Sequence, residues 1–307
     1  MSLGVLNNLN AIYATNNLNN TNNSLSGVLQ QLSSGSRINS GADDAAGLSL
    51  VNGLSANASA LTQSANNATQ GVGILKVADG ALSQVTNLLN RAVTLATEAS
   101  NGTLNSSQLT AANQEYQSIL AEINNIGTTT TYNQTQVFGQ GSAATVSIYT
   151  GDSSSNGSSI DNLSFAELSS SSVGDAGGSV SLTAATASSA ATITYTAAAS
   201  NASVDLTSAD ISTTTGAQTT LNLLNQAIAS VAAQQGYIGS QINTLNSVSQ
   251  VISTQQQNIA AAQNAIQATD YATATSNLAK YEILSQTGIS ALAQANSLQQ
   301  QVTKLLQ

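Results

Sequence analysis

The sequence predicts a mainly α protein: a long coiled-coil-like helical rod formed by paired N- and C-terminal segments, with a small β-rich outer domain inserted. Three observations predict this. Both ends carry leucine and isoleucine at seven-residue steps. The 307-residue chain has no proline to interrupt those runs. The segment between them is rich in Ser, Thr, Gly and Ala with short alternating stretches.

At the N-terminus, Leu6, Leu9 and Ile12 precede a seven-step series of Leu18, Leu25 and Leu32, which marks a helix ending near residue 40. Over residues 43 to 100 the series is Leu54, Leu61, Ala68, Leu75, Leu82, Leu89 and Ala96. A companion series three residues earlier reads Val51, Ala58, Ala65, Val72, Thr86 and Val93, with the charged Asp79 as its exception. At about 1.5 Å per residue such a helix is roughly 85 Å long. Asp43 reads as its N-cap and Gly102 as its stop. A second helix over 105 to 126 shows Leu109, Ala112, Tyr116, Ile119, Ile123 and Ile126, and Gly127 reads as its end.

Residues 139 to 215 read as an exposed β domain, with disorder the competing reading. Val180–Thr183 and Thr192–Thr196 are its clearest alternations. The C-terminal third returns to heptads: Leu224, Val231, Ile238, Leu245, Ile252, Ile259 and Ile266. Its companion positions begin with Leu221, Ile228 and Ile242 and then fade into Ser249, Gln256 and Gln263. Gly236 and Gly239 are expected to loosen this helix locally. Leu278, Tyr281, Leu292, Ala295, Val302 and Leu306 give the last segment its apolar face. The domain division is then 1–40 with 269–307, 41–138 with 216–268, and 139–215.

Composition excludes most chemistry. There is no His and no Cys, so Ser-His and Cys-His catalysis and His-ligated metals are impossible. No enzyme activity and no cofactor are expected. Asp43-Asp44 is the one adjacent carboxylate pair, and it reads as helix-start chemistry paired with Arg37 rather than as a metal site. Net charge is −9 with five cations, Arg37, Lys76, Arg91, Lys280 and Lys304. That argues against nucleic acid and anionic lipid as partners. No apolar run approaches the roughly 20 residues of a membrane span, so no membrane insertion is expected. The first residues lack a basic stretch followed by an apolar one, so no cleavable signal peptide is expected. The apolar stripes are expected to pack on themselves, within one chain and between copies. The terminal ones are expected to order only on assembly.

The ends carry a resemblance. LSSGSRINSGADDAAGLSL (32–50), LTQSANNATQGVGI (61–74), ADGAL (78–82) and ATDYATATSNLAKYEILSQTGISALAQANSLQQQVTKLL (268–306) are similar to the termini of bacterial flagellins. The resemblance covers residues 1 to 140 and 215 to 307. It implies a protomer of an extracellular helical filament for motility, with the first and last helices forming an inner tube. It implies export through the flagellar type III channel and, as partners, further copies of the chain, the export apparatus, its chaperone, and cap and junction proteins. A hook–filament junction protein is the alternative. A surface metallopeptidase, carried by some flagellins, is excluded because its HExxH motif needs His. A carbohydrate-binding adhesin is poorly supported by a middle segment whose aromatics are Tyr149, Phe165 and Tyr195. Arg91, Leu95 and Glu115 fall where flagellins meet the flagellin-sensing Toll-like receptor of animals, although RAVTLATEA (91–99) lacks the second Arg of strongly recognised members. Tyr132-Asn133-Gln134 stands where flagellins often have an Asn-Gly turn.

Overall fold

The computed structural model describes residues 8–139, 144–151, 160–165, 168–169, 173, 178–182, 191–195 and 204–305. It contains helices α1 (Leu9–Ser34), α2 (Ala45–Ser100) and α3 (Ser106–Thr129), then strands β1 (Thr131–Tyr132), β2 (Thr135–Gln136), β3 (Ala144–Tyr149), β4 (Ile160–Phe165), β5 (Gly178–Leu182) and β6 (Ala191–Tyr195), then helices α4 (Thr214–Gln267) and α5 (Tyr271–Leu305). The strands form three antiparallel pairs, β1–β2, β3–β4 and β5–β6. The protein is mostly helical with a small strand-bearing middle, as its periodicities predict. The Val180–Thr183 and Thr192–Thr196 alternations fall on β5 and β6 for their strand residues. Thr183 and Thr196 lie outside the described residues, as do Leu6 and Leu306. The chain divides into two compact units: residues 1–55 with 258–307, and residues 56–257.

In the first unit α1 and α5 pack along each other. The half-buried or buried face of α1 is Ala11, Ala14, Leu18, Thr21, Leu25, Val28 and Leu32, a 3-4-3-4 spacing. On α5 the matching face is Ala274, Leu278, Tyr281, Ser285, Gly288, Leu292 and Ala295. Hydrogen bonds tie the pair at both ends. Asn8, which also caps α1, donates from Nδ2 to the Ala295 carbonyl at 3.0 Å. At the other end Gly35 adopts a left-handed φ of +69° and closes α1. There the Arg37 amide donates to the Gln267 carbonyl and the Thr269 amide to the Gly35 carbonyl.

In the second unit the seam of α2 has a different phase from the one its sequence suggests. Leu61, Ala68, Leu75, Leu82, Leu89 and Ala96 are buried as expected. Their buried companions lie three residues later, not three earlier: Ser64, Gly71, Ala78, Val85, Ala92 and Ala99. Val72, Thr86 and Val93 are only half-buried, and Asp79 is exposed, so it is no exception to the seam. α4 repeats the design. Leu224, Val231, Ile238, Leu245 and Ile252 alternate with buried Thr220, Ala227, Gln234 and Gln241. Small residues on the companion rows let neighbours approach: a Cβ on Gly71 would stand 3.0 Å from Leu245 Cδ1 and 3.2 Å from Ile148 Cγ1. α4 runs unbroken through Gly236 and Gly239, with Tyr237 and Ile238 buried between them.

Three local expectations are corrected. α2 begins at Ala45, and its N-cap is Asp44, whose Oδ1 accepts from the Gly47 amide at 2.8 Å. Asp43 instead closes the preceding turn, accepting from the Asn39 and Ser40 amides at 3.0 and 2.8 Å. Arg37 donates to the Ile266 carbonyl at 2.8 Å rather than pairing with either carboxylate. Gly127 does not end α3, which continues to Thr129; it lies buried where a Cβ would fall 1.9 Å from the Leu168 carbonyl oxygen. The start of α3 is fixed by a reciprocal capping box between Asn105 and Gln108.

The β1–β2 turn places both Asn133 (φ +49°) and Gln134 (φ +66°) in the left-handed region. That is the two-residue hairpin geometry which favours Gly at its second position. Two glycine substitutions therefore have opposite signs. Gln134→Gly is expected to raise stability by about 0.5–1 kcal/mol. Gly127→Ala is expected to lower it by about 1–3 kcal/mol through the clash with Leu168. Urea unfolding followed by circular dichroism reads both, and equal effects would refute this account of the two positions.

Candidate functional site

Among the described residues, most of the exposed large hydrophobic side chains lie on the terminal helix pair. α1 shows Leu9, Ile12, Tyr13 and Leu29 to solvent, and α5 shows Ile283, Leu284, Ile289 and Leu298. Tyr13 is 66 % exposed and Ile283 is 67 % exposed. Each helix thus has apolar residues on its paired face and on its outer face. One helical partner covers one stripe, so the second stripe remains wet. α1 contains no Asp, Glu, Lys or Arg. Its polarity comes from Asn, Gln, Ser and Thr, which can hydrogen-bond to many partners without fixed charge.

The packing residues expected from sequence are distributed along the helices. Leu61, Leu75, Leu82, Leu89, Ile238, Leu245 and Ile252 are buried, most of them completely. Leu54, Ile259, Ile266 and Leu292 are half-buried. The side chain of Val302 lies outside the described residues. Leu9 and Ile12, apolar positions legible in the sequence, face outward, and Tyr13, Leu29, Ile283, Leu284, Ile289 and Leu298 join them outside the heptad pattern. A second stripe offset by about half a turn was the available signal.

The Arg91 group is only partly assembled on the surface. Arg91 Nη2 lies 2.7 Å from Glu115 Oε1, and Nε donates to the same oxygen at 2.7 Å. The pair joins α2 to α3 with side chains 54 % and 46 % exposed. Leu95, one turn on, is 4 % exposed and packs inward. The position between Leu89 and Ala99 on the same stripe explains this: Leu95-Ala96 straddles the seam.

The second unit also holds a buried carboxyl. Asp161 on β4 is 2 % exposed; its Oδ2 accepts from the Thr150 hydroxyl at 3.1 Å, and its Oδ1 has no partner. Beside it, Ser64 of α2 donates to the Gly151 carbonyl at 2.5 Å. Burial pushes the Asp161 carboxyl above its ordinary range, and the Thr150 hydrogen bond only partly opposes this. Burial, followed by the nearby charge of Asp210, likewise raises the Tyr116 phenol. A lone buried carboxyl without a base is poor equipment for acid–base catalysis. Among the described residues no cluster of three metal-ligating side chains occurs, and no helix is long and apolar enough to cross a membrane.

Asp161 makes a signed prediction. Its folded-state pKa is raised, so its contribution to stability is complete below the unfolded value near 3.8 and is lost as pH rises through the folded value. Asp161→Asn should match the parent at pH 3. It should become the more stable protein as pH rises, by about 1.4 kcal/mol per pH unit between the two values. Urea titrations from pH 3 to 8 test this; a difference that stays constant with pH would exclude a protonated Asp161.

The chain matches the model of the bacterial flagellin N-terminal helical region over residues 5–143. It matches that of the bacterial flagellin C-terminal helical region over residues 221–306. It is similar to a flagellin of Listeria monocytogenes, with 28 % identity over 292 residues that span 94 % of each chain. Flagellin 1 of Proteus mirabilis is 37 % identical over 143 residues, 46 % of this chain and 39 % of that one. Among solved structures, Bacillus cereus flagellin aligns over 64 % of this chain and 94 % of its own at 24 % identity, with a TM-score of 0.43.

Proposed function

The chain belongs to the bacterial flagellin family, and from that premise we propose that it is a structural protomer of a swimming filament, without catalytic activity of its own. The family makes it a structural subunit that polymerises into the extracellular flagellar filament. The observation that carries the finer reading is the doubly apolar, nearly uncharged pair α1 and α5. A filament grown from many copies needs a contact that every copy can repeat, and an outward stripe on both terminal helices supplies one. A hook–filament junction protein would need the same ends but would stop after few copies. The match to flagellin models at both ends, and to a flagellin along 94 % of each chain, favours the filament protomer. Passage through the flagellar export channel with a chaperone, and handling by cap and junction proteins, follow from the same reading.

Assembly is tested by electron microscopy of purified chain after heating, cooling and addition of a precipitating salt. Long uniform filaments are expected, and deletion of residues 1–30 or 280–307 should abolish them. Short oligomers that cap filament ends without elongating would identify the junction protein instead.

Recognition by the animal flagellin receptor is the second proposed interaction. Arg91 and Glu115 are exposed and joined across α2 and α3, while Leu95 supports them from below. As an exposed ion pair it contributes at most about 1 kcal/mol to stability, so its removal leaves the fold intact. Arg91→Ala is expected to reduce receptor activation by released monomer at least tenfold without changing helicity. Unchanged activation in a reporter-cell titration would remove this proposal.

A further inference from the structure

Three asparagines of this chain are followed by glycine: Asn52–Gly53, Asn101–Gly102 and Asn156–Gly157. Such a pair has its own chemistry. The backbone nitrogen after an asparagine can reach the side-chain Cγ and close a five-membered imide. Glycine removes the side chain that would hinder the approach, and its backbone turns freely. Ring closure then requires that the folded chain leave the Asn–Gly peptide free to rotate. Asn156–Gly157 lies outside the described residues, and the other two pairs sit in opposite surroundings.

Asn52 and Gly53 are interior residues of α2. The Gly53 amide is there committed to the helix ladder, and helical dihedrals hold its nitrogen away from Asn52 Cγ. Asn101 instead follows the last residue of α2, in the turn over residues 101–105 that leads to α3. Asn101, Gly102 and Thr103 are all exposed, and exposed turns are the more mobile parts of a chain. Gly102 has a φ of +72°, and apart from its chain neighbours no heavy atom lies within 4 Å of the place its Cβ would take. Asn101 Nδ2 donates to Thr103 Oγ1 at 3.2 Å, so the side-chain amide is turned along the chain, toward the peptides that follow it.

We propose that Asn101 is a site of spontaneous deamidation in the folded protein. The Gly102 nitrogen gives its proton to a solvent base and attacks Asn101 Cγ. The Cγ–Nδ2 bond then breaks, and the side-chain nitrogen takes a proton from water and leaves as ammonia. Water opens the resulting succinimide at one of its two carbonyls. Opening at Cγ gives aspartate; opening at the Asn101 main-chain carbonyl gives isoaspartate, with the backbone now running through Cγ. One water is consumed and one ammonia released, and nothing is oxidised or reduced.

Either product puts a carboxylate where none stood. It falls at the C-terminal end of α2, where the helix already presents partial negative charge, with Glu98 exposed one turn before. Isoaspartate also lengthens the backbone by one atom within a turn held at both ends. Buried Ala99 fixes one end, and the Asn105–Gln108 capping box fixes the other. The modification therefore works against the α2–α3 connection in both charge and length.

The test is peptide mapping of the full chain after storage in mildly alkaline buffer, folded and, in parallel, in urea. Glutamate-specific cleavage at Glu98 and Glu115 releases residues 99–115. Isoaspartate is counted by enzymatic methyl transfer and placed by fragmentation of each peptide. In the folded chain Asn101 is expected to convert at least tenfold faster than Asn52. It should also outpace Asn133 at least tenfold, since Asn133 is exposed in a turn but is followed by Gln134. In urea Asn52 should come within threefold of Asn101, because unfolding removes the helix that protects it. Asn101→Gln keeps an exposed amide but must close a six-membered ring, and it should lower conversion of the 99–115 peptide at least tenfold. Asn101 that persists in the folded chain while converting in urea would overturn the proposal, since the turn would then be protecting it. Equal folded-state rates at Asn101 and Asn52 would overturn it too, because the fold would not be selecting the site.

Discussion

A helix that carries an apolar stripe must cover it with something, and in this protein that something is another helix with small residues on the companion row. Everything else depends on that pairing. Leu75, Leu82 and Leu89 supply bulk, and Gly71, Ala78 and Ala92 supply room. A fully buried leucine side chain contributes about 1.5–3 kcal/mol relative to exposure. Repeated over heptads, this offsets the ordering of long stretches of backbone. With Phe and Tyr scarce, no wide core is available, and the buried aromatics gather where strands meet helices: Phe138, Phe165, Tyr116 and Tyr237. Tyr237 takes part in that junction through its hydroxyl, which accepts from the Ser164 amide at 3.3 Å.

Scarcity of charge shifts the remaining work onto neutral polar groups. Gln234 and Gln241 occupy seam positions of α4, and Gln234 satisfies itself on the Ser164 carbonyl at 3.4 Å. Gln256 of α4 donates to Thr62 of α2 at 3.1 Å. Threonines on the outer faces return their hydroxyls to the carbonyl four residues back, as Thr69, Thr94 and Thr110 do. That habit keeps a polar surface without charge, though it does little for the helix itself. Helix ends are fixed by Asn and Asp caps rather than by charged first turns: Asn8, Asp44, Asn105 and Asp270.

The fold was readable where side chains are large and periodic. Seven-step leucines and isoleucines located the helices to within a few residues because only a helix puts such positions on one face. Past Val51, which is buried as expected, the phase of the second row was not readable, because Ser64, Gly71 and Ala78 look like filler beside Val72 and Val93. Size, rather than hydrophobicity, decides which row can sit against a neighbour's backbone. The same blindness explains Gly127: a glycine after Ile126 reads as a stop, yet the reason for it is Leu168, 41 positions away in the chain. Asp43 and Asp44 are chemically equivalent caps, and only the turn geometry before Ala45 chooses between them. For the candidate sites, Arg91 and Glu115 were legible as surface charges, but the burial of Leu95 depends on the true seam phase and so could not be seen.

That phase has a further consequence for how the two ends of the chain divide their labour. In the second unit the seam faces are consumed internally, leaving Val77 and Val251 as isolated exposed aliphatics on their helices. In the first unit α1 and α5 bury one face each and, among the described residues, still present nine large apolar side chains to solvent. A sequence selected only for a stable monomer would exchange those residues for Lys or Glu at little cost, since exposed positions tolerate charge. On α1 itself the exposed positions carry Asn, Ser and Thr and no charged residue at all. Keeping Leu9, Ile12, Tyr13, Ile283 and Ile289 in water is costly for a solitary chain. It becomes favourable once further helices cover them, which ties the stability of the terminal helices to association rather than to the single chain.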